Sequence, residues 1–135
     1  MFLYINSRQA EWLTVAVVGT QGRILELKKM RAKYRQSEKL LVSIEELVGK
    51  RLKKLKGVMV VKGPGSFTAL RIGLTTANML AWSLSVPVVG LELNDELSDE
   101  ELIARAYRQI IKRKKFKPVC PVYGREPNIT IKRQE

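Results

Sequence analysis

Histidine is absent from the 135 residues, and cysteine occurs once, at Cys120. The first absence removes Ser-His-Asp and Cys-His hydrolysis, imidazole acid–base work and histidine-ligated metals. The second excludes an intramolecular disulfide and any cysteine-based zinc site. No apolar run approaches the roughly 18 residues of a membrane span. The N-terminus also lacks a basic lead-in followed by a hydrophobic stretch, so a cytoplasmic chain without membrane contact is expected. Acids are scarce: 13 Asp and Glu stand against 25 Lys and Arg, a formal net charge of +12. The rest is ordinary for one globular domain, 45% hydrophobic and 28% charged, and long enough to bury a core without staples.

The positive charge is spread unevenly. Residues 1–97 hold 15 basic and 8 acidic side chains (+7), and residues 98–135 hold 10 and 5 (+5). Basic clusters run from Lys28 to Arg35, Lys50 to Lys56 and Lys112 to Lys117. A field of this sign favours polyanions. Lys112, Arg113, Lys114, Lys115 and Lys117 are the candidates for phosphate contact, and solvated surface is the plainer reading of the same residues.

Hydrophobic patterning divides the first 97 residues into alternating elements. Met1–Ser7 and Trp12–Val18 are apolar and β-branched, and Arg23–Lys28 alternates charged with apolar residues, which together predict three antiparallel strands. From Ser37, taken as an N-cap, Leu40, Leu41, Ile44, Leu47 and Val48 fall on one helical face that stops at Gly49. Gly57–Lys62 and Pro87–Glu92 read as strands covered on both sides, with a helix from about Thr68 to Leu84 between them. The order βββαβαβ, with right-handed crossovers, predicts an α/β domain around a mixed five-stranded sheet. Residues 98–135 are expected to add a helix capped by Ser98 and running to about Arg113, then an extended basic tail punctuated by Pro118, Pro121 and Pro127, packed on the same domain. Six acids between Glu92 and Glu101 read as capping and solubility rather than as a metal site.

Two features carry functional information. The strand-to-helix turn Gly63-Pro64-Gly65-Ser66, with Thr68 as an alternative cap, frees backbone amides that either form a structural turn or cradle an anion. It has neither the lysine of a P-loop nor the G-x-G-x-x-G spacing. In the helix that follows, Ala69, Gly73, Ala77 and Ala81 recur every four residues, and Arg71 is the only charge between Thr68 and Leu84. Such a helix needs cover on nearly all sides, and a small-residue stripe invites the close approach of another helix. Either a partner or the neighbouring helix from Ser37 supplies it.

The run Gly63–Leu74 (GPGSFTALRIGL), followed by LAWSLSVPVVGLE, resembles the bacterial TsaB (YeaZ) family, whose members support threonylcarbamoylation of the adenosine beside the tRNA anticodon. Ser37–Leu41 (SEKLL) resembles the opening of that family's first helix, with Gln36 where histidine is common. Pro121–Thr130 (PVYGREPNIT) resembles its terminal signature. The resemblance implies an actin-like ATPase (RNase H-like) lobe over residues 1–97, with most of the family's second lobe missing. It departs at Asn6, where the family often has a metal-holding Asp, and at Ala69, usually Gly.

The resemblance further implies a non-catalytic partner, without cofactor or metal, of a TsaD-type transferase, with a TsaE-type ATPase joining. The docking residues it points to are Leu40, Ile44, Leu47, Ala69, Gly73, Thr76, Ala77 and Leu80, and a homodimer through the same helices is the expectation when the transferase is absent. Competing readings are a nucleotide-binding enzyme using Gly63, Gly65, Ser66 and Thr68 as a phosphate loop, and a module binding tRNA through the basic tail. An RNase H-like nuclease is disfavoured, because the first strand carries no carboxylate.

Overall fold

A computed structural model describes residues 1–93 and 96–122. The segment resembling the family's terminal signature therefore lies, from Tyr123 onward, outside the described residues, as does Pro127. Five strands, β1 (Phe2–Asn6), β2 (Trp12–Val18), β3 (Ile24–Arg31), β4 (Gly57–Gly63) and β5 (Val88–Glu92), form one sheet in the order β3-β2-β1-β4-β5. The first three are an antiparallel meander, and β4 and β5 join parallel to β1. Parallel neighbours require crossovers. These are α1 (Gln36–Leu47) and α2 (Phe67–Leu84), and α3 (Asp99–Ile110) follows β5.

Period-two alternation sends the strand residues to two cores. Leu3, Ile5, Leu13, Val15, Val17, Val58 and Val60 face α1 and α2, where they meet Leu40, Ile44, Leu47, Leu70 and Leu74. Tyr4, Ala16, Val18, Met59, Val61, Val89 and Leu91 face α3 and its Leu102, Ile103, Ala106 and Ile110. The three central strands are thus buried on both faces, each large apolar side chain contributing about 1.5–3 kcal/mol. Edge strand β3 stays half-exposed, as its charged alternation predicts.

Strand ends shift by a residue in several places, and the following boundary differences matter for the packing. Strand β3 continues to Arg31. Helix α1 starts one residue before Ser37, with Arg35 as the cap residue and no side-chain cap bond; Gln36 donates instead to the Ala10 carbonyl, and Arg35 pairs with Glu38 at 2.7 Å. Helix α2 starts at Phe67, and its cap residue Ser66 likewise makes no side-chain cap bond. Helix α3 ends at Ile110 rather than near Arg113. Its beginning is as expected: Ser98 accepts from the Glu101 amide and Glu101 reaches back to the Ser98 amide, a reciprocal capping box. Those bonds from Ser98 hold the exposed Glu101 carboxyl below its usual range.

Beyond α3 the chain returns to the α2 side. Phe116 and Val119 pack on that core, Asn78 of α2 exchanges two 2.9 Å hydrogen bonds with the Val119 backbone, and the Val122 amide donates to the Lys62 carbonyl.

Candidate functional site

At the end of β1 the sequence places an amide where a metal-binding carboxylate is the alternative. The Asn6 side chain donates to Asp99 Oδ1 at 2.9 Å, and the Tyr4 hydroxyl donates to the same oxygen at 2.6 Å. Burial, reinforced by the Asp99 carboxylate, pushes the Tyr4 phenol far above its usual range, so it stays a donor. Asn6 also accepts from the Arg8 amide at 3.2 Å. Asn6 is therefore committed on both sides, tying the first turn of α3 to β1. An aspartate at position 6 would set two carboxylates against each other.

The Gly63–Ser66 turn is closed by the chain itself. The Ser66 amide donates to the Arg8 carbonyl at 2.8 Å. A Cβ on Gly65 would lie 2.2 Å from that same oxygen, and one on Gly63 (φ +129°) would lie 1.8 Å from the Val122 carbonyl. The glycines are needed because backbone passes directly over them. Gly63 and Gly65 are thus covered by Val122 and Arg8 rather than open to an anion, while Thr68 stays exposed at the start of α2.

The small-residue stripe of α2 also turns inward. Ala69, Gly73, Ala77 and Ala81 are all buried, and a Cβ on Gly73 would sit 2.0 Å from Ser7 Oγ, beside Ile5. The close approach the stripe permits is to β1, with Ser7 donating to the Ala69 carbonyl at 2.8 Å. Leu40, Ile44 and Leu47 are buried with it, so six of the eight expected docking residues belong to the chain's own core. Thr76 and Leu80 keep partial exposure. The expectation that the stripe itself awaits another molecule is corrected by this geometry, because the chain already covers it.

The surface that α1 and α2 do present is a different one. Met79 and Trp82 are 65% and 70% exposed on α2, and Leu41 and Val42 are exposed on α1. Ser37 of α1 with Thr68, Arg71, Ile72, Thr75 and Thr76 of α2 lines an open groove on the same layer. Leu41 was expected on the buried face, but α1 faces the sheet through Leu40, Ser43, Ile44 and Leu47, which leaves positions 41 and 42 outside. Spacing alone counted Leu41 with its neighbour. Of the basic candidates, Lys112 and Arg113 join Arg105, Arg108 and Gln109 around a shallow cleft, and Lys114, Lys115 and Lys117 are exposed beyond the helix. Asp99 carries a sequence signal only as a helix-start acid, and no motif or spacing singles out Asn78.

Comparison with known proteins places this arrangement. The family model described as TsaD: tRNA N6-adenosine threonylcarbamoyltransferase matches residues 30–122. The chain is 56% identical over 34 residues to the tRNA threonylcarbamoyladenosine biosynthesis protein TsaB of Bacillus subtilis, a quarter of this chain and 15% of that protein. It is 39% identical over 57 residues to the tRNA N6-adenosine threonylcarbamoyltransferase of Geotalea daltonii, 40% of this chain and 17% of that one. The solved structure of YeaZ from Pseudomonas aeruginosa superimposes with a TM-score of 0.60 at 24% identity, covering 67% of this chain and 43% of that one. The chain thus spans less than half of that structure and a far smaller share of the two sequence relatives. The shared fold is an RNase H-like, actin-like ATPase type of lobe. With more than half of its length matched by the family model, the chain belongs to the TsaD family, and it is a homologue of TsaB/YeaZ.

Proposed function

We propose that this chain is a non-catalytic subunit of the machinery that makes threonylcarbamoyladenosine in tRNA, and that it docks a TsaD-type transferase, with a TsaE-type ATPase joining the assembly. The observation that carries the docking is the outer face of α1 and α2, where Leu41, Val42, Met79 and Trp82 stand exposed on the two helices that also line the Ser37–Thr76 groove. Large apolar groups gathered on one helical layer are what a partner helix buries. The non-catalytic reading rests on Asn6, a neutral amide already spent on Asp99 and a poorer magnesium ligand than a carboxylate.

The test is co-purification with the transferase, alongside reconstituted tRNA modification. Replacing Met79→Lys and Thr75→Glu together, both exposed positions, is expected to weaken the complex at least tenfold, in line with the ~2 kcal/mol of a central interface residue. The thermal midpoint of the isolated chain should not move. Undiminished binding by the double variant overturns the assignment of this face. A second, compatible reading gives the Arg105, Arg108, Lys112 and Arg113 cleft a tRNA backbone; Gln at Lys112 and Arg113 should then flatten the salt dependence of tRNA binding.

A further inference from the structure

Helix α3 packs against β4, β5 and the β2–β3 connection; on the same sheet face Thr14 and Ala16 of β2 are buried, while Trp12 and the side chains of edge strand β3 stay exposed. The residues that register places there are Trp12 opposite Arg31, Thr14 opposite Lys29, and Ala16 opposite Leu27. Trp12 and Leu27 are 39% and 36% exposed. Lys29 Nζ lies 5.5 Å and the Arg31 guanidinium carbon 5.8 Å from the centre of the Trp12 ring. Neither cation forms an ion pair among the described residues, although Lys28 and Lys33 on the same stretch do. A cleft of about 370 Å³ opens next to the ring, walled by Asn6, Gln9 and Thr14 on one side and by Ser98, Asp99 and Glu100 on the other.

We propose that this exposed strip, Trp12 with Lys29 and Arg31 of edge strand β3, is a platform for single-stranded nucleic acid, one unpaired base stacking on Trp12 while its flanking phosphates lie on Lys29 and Arg31. Both cations rest over the indole, and a single strand matches the pair: its phosphates draw the cations off the ring and its base takes their place on the exposed face. A duplex keeps its bases stacked on each other and cannot use the ring. The acids of the cleft repel phosphate, so the backbone follows β3 and the base edge points toward the amide and hydroxyl wall. The platform lies on the opposite side of the sheet from the α1/α2 face, and it does not depend on the docking reading.

The experiment is fluorescence anisotropy of a labelled ten-nucleotide oligoribonucleotide titrated with the full chain alone. The single strand is expected to bind in a salt-dependent manner, more tightly than the same sequence as a duplex. Trp12→Ala should weaken it roughly five- to a hundredfold, the range for loss of one stacked base, and Trp12→Phe should restore most of that. Lys29→Gln with Arg31→Gln, both solvent-facing, should reduce the log–log salt slope by about 1.4, at ~0.7 per phosphate on a single strand. Absence of binding overturns the platform. So does a folded Trp12→Ala chain that binds like the wild type, a duplex that binds as tightly as the single strand, or competition by poly-glutamate as effective as by RNA, which would mark a surface for acidic protein. An unaltered salt slope in the Lys29/Arg31 double variant overturns it even where Trp12→Ala fails to fold.

Discussion

Asn6 shows how one atom exchanged for another redirects a strand end. Its amide donates to the carboxylate that Tyr4 also holds, so the position has become part of the joint between β1 and α3. Asn6→Asp replaces that donor with a second anion under 3 Å from the first. A like-charge pair in such a place shifts titration by about 1–3 units, or about 1.4–4 kcal/mol. The variant is expected to be destabilised by that order at pH 7 in urea unfolding. The penalty exists only when both carboxyls are ionised, so it should shrink as pH falls through the carboxylate range. Equal stability at pH 7 and pH 4 would show that the two groups do not face each other. Nothing in the sequence announces this contact, since 93 residues separate the partners.

Among the elements, α2 teaches most about legibility. All five strands and three helices were readable from the period of their apolar residues, because burial on one face or on two leaves a repeating mark. The four-residue spacing of Ala69, Gly73, Ala77 and Ala81 correctly signals a close backbone approach. It does not say to what. Here the approaching group is Ser7 at the end of β1, and the side chains left outside, Met79 and Trp82, carry no periodic signature of their own. Gly73→Ala tests this packing. Its methyl would overlap Ser7 Oγ, so an overpacking loss of about 1–3 kcal/mol is expected. Ser7→Ala in the same chain removes the overlapping oxygen and should recover part of the loss. A double-mutant cycle with no coupling between the two sites would place the stripe somewhere other than against β1.

For the molecule as a whole, the stretch after α3 acts as a strap that closes the layer it did not start from. Phe116 and Val119 cross to the α1/α2 core, and Asn78 clasps the Val119 backbone from both directions. Proline content predicted an extended tail, but the partner of that tail is set by a contact 41 residues away, beyond the reach of local pattern. Asn78→Ala removes both hydrogen bonds to the part-buried Val119 backbone, and a loss of about 1–3 kcal/mol follows, at about 0.5–1.5 kcal/mol for each bond. Hydrogen exchange should report it most directly, with the Val119 amide losing protection while amides of β1 and β2 keep theirs. Unchanged exchange at Val119 would mean the strap is held by apolar packing alone.

The edge position of β3 has one more consequence. Its outer margin presents an unmatched row of peptide donors and acceptors to solvent, the situation in which sheets of neighbouring copies zip together into fibrils. Lys28, Lys29 and Arg31 crowd that margin. Two such margins paired through that half of the strand would set cation against cation, a repulsion that opposes this ribbon templating its own aggregation.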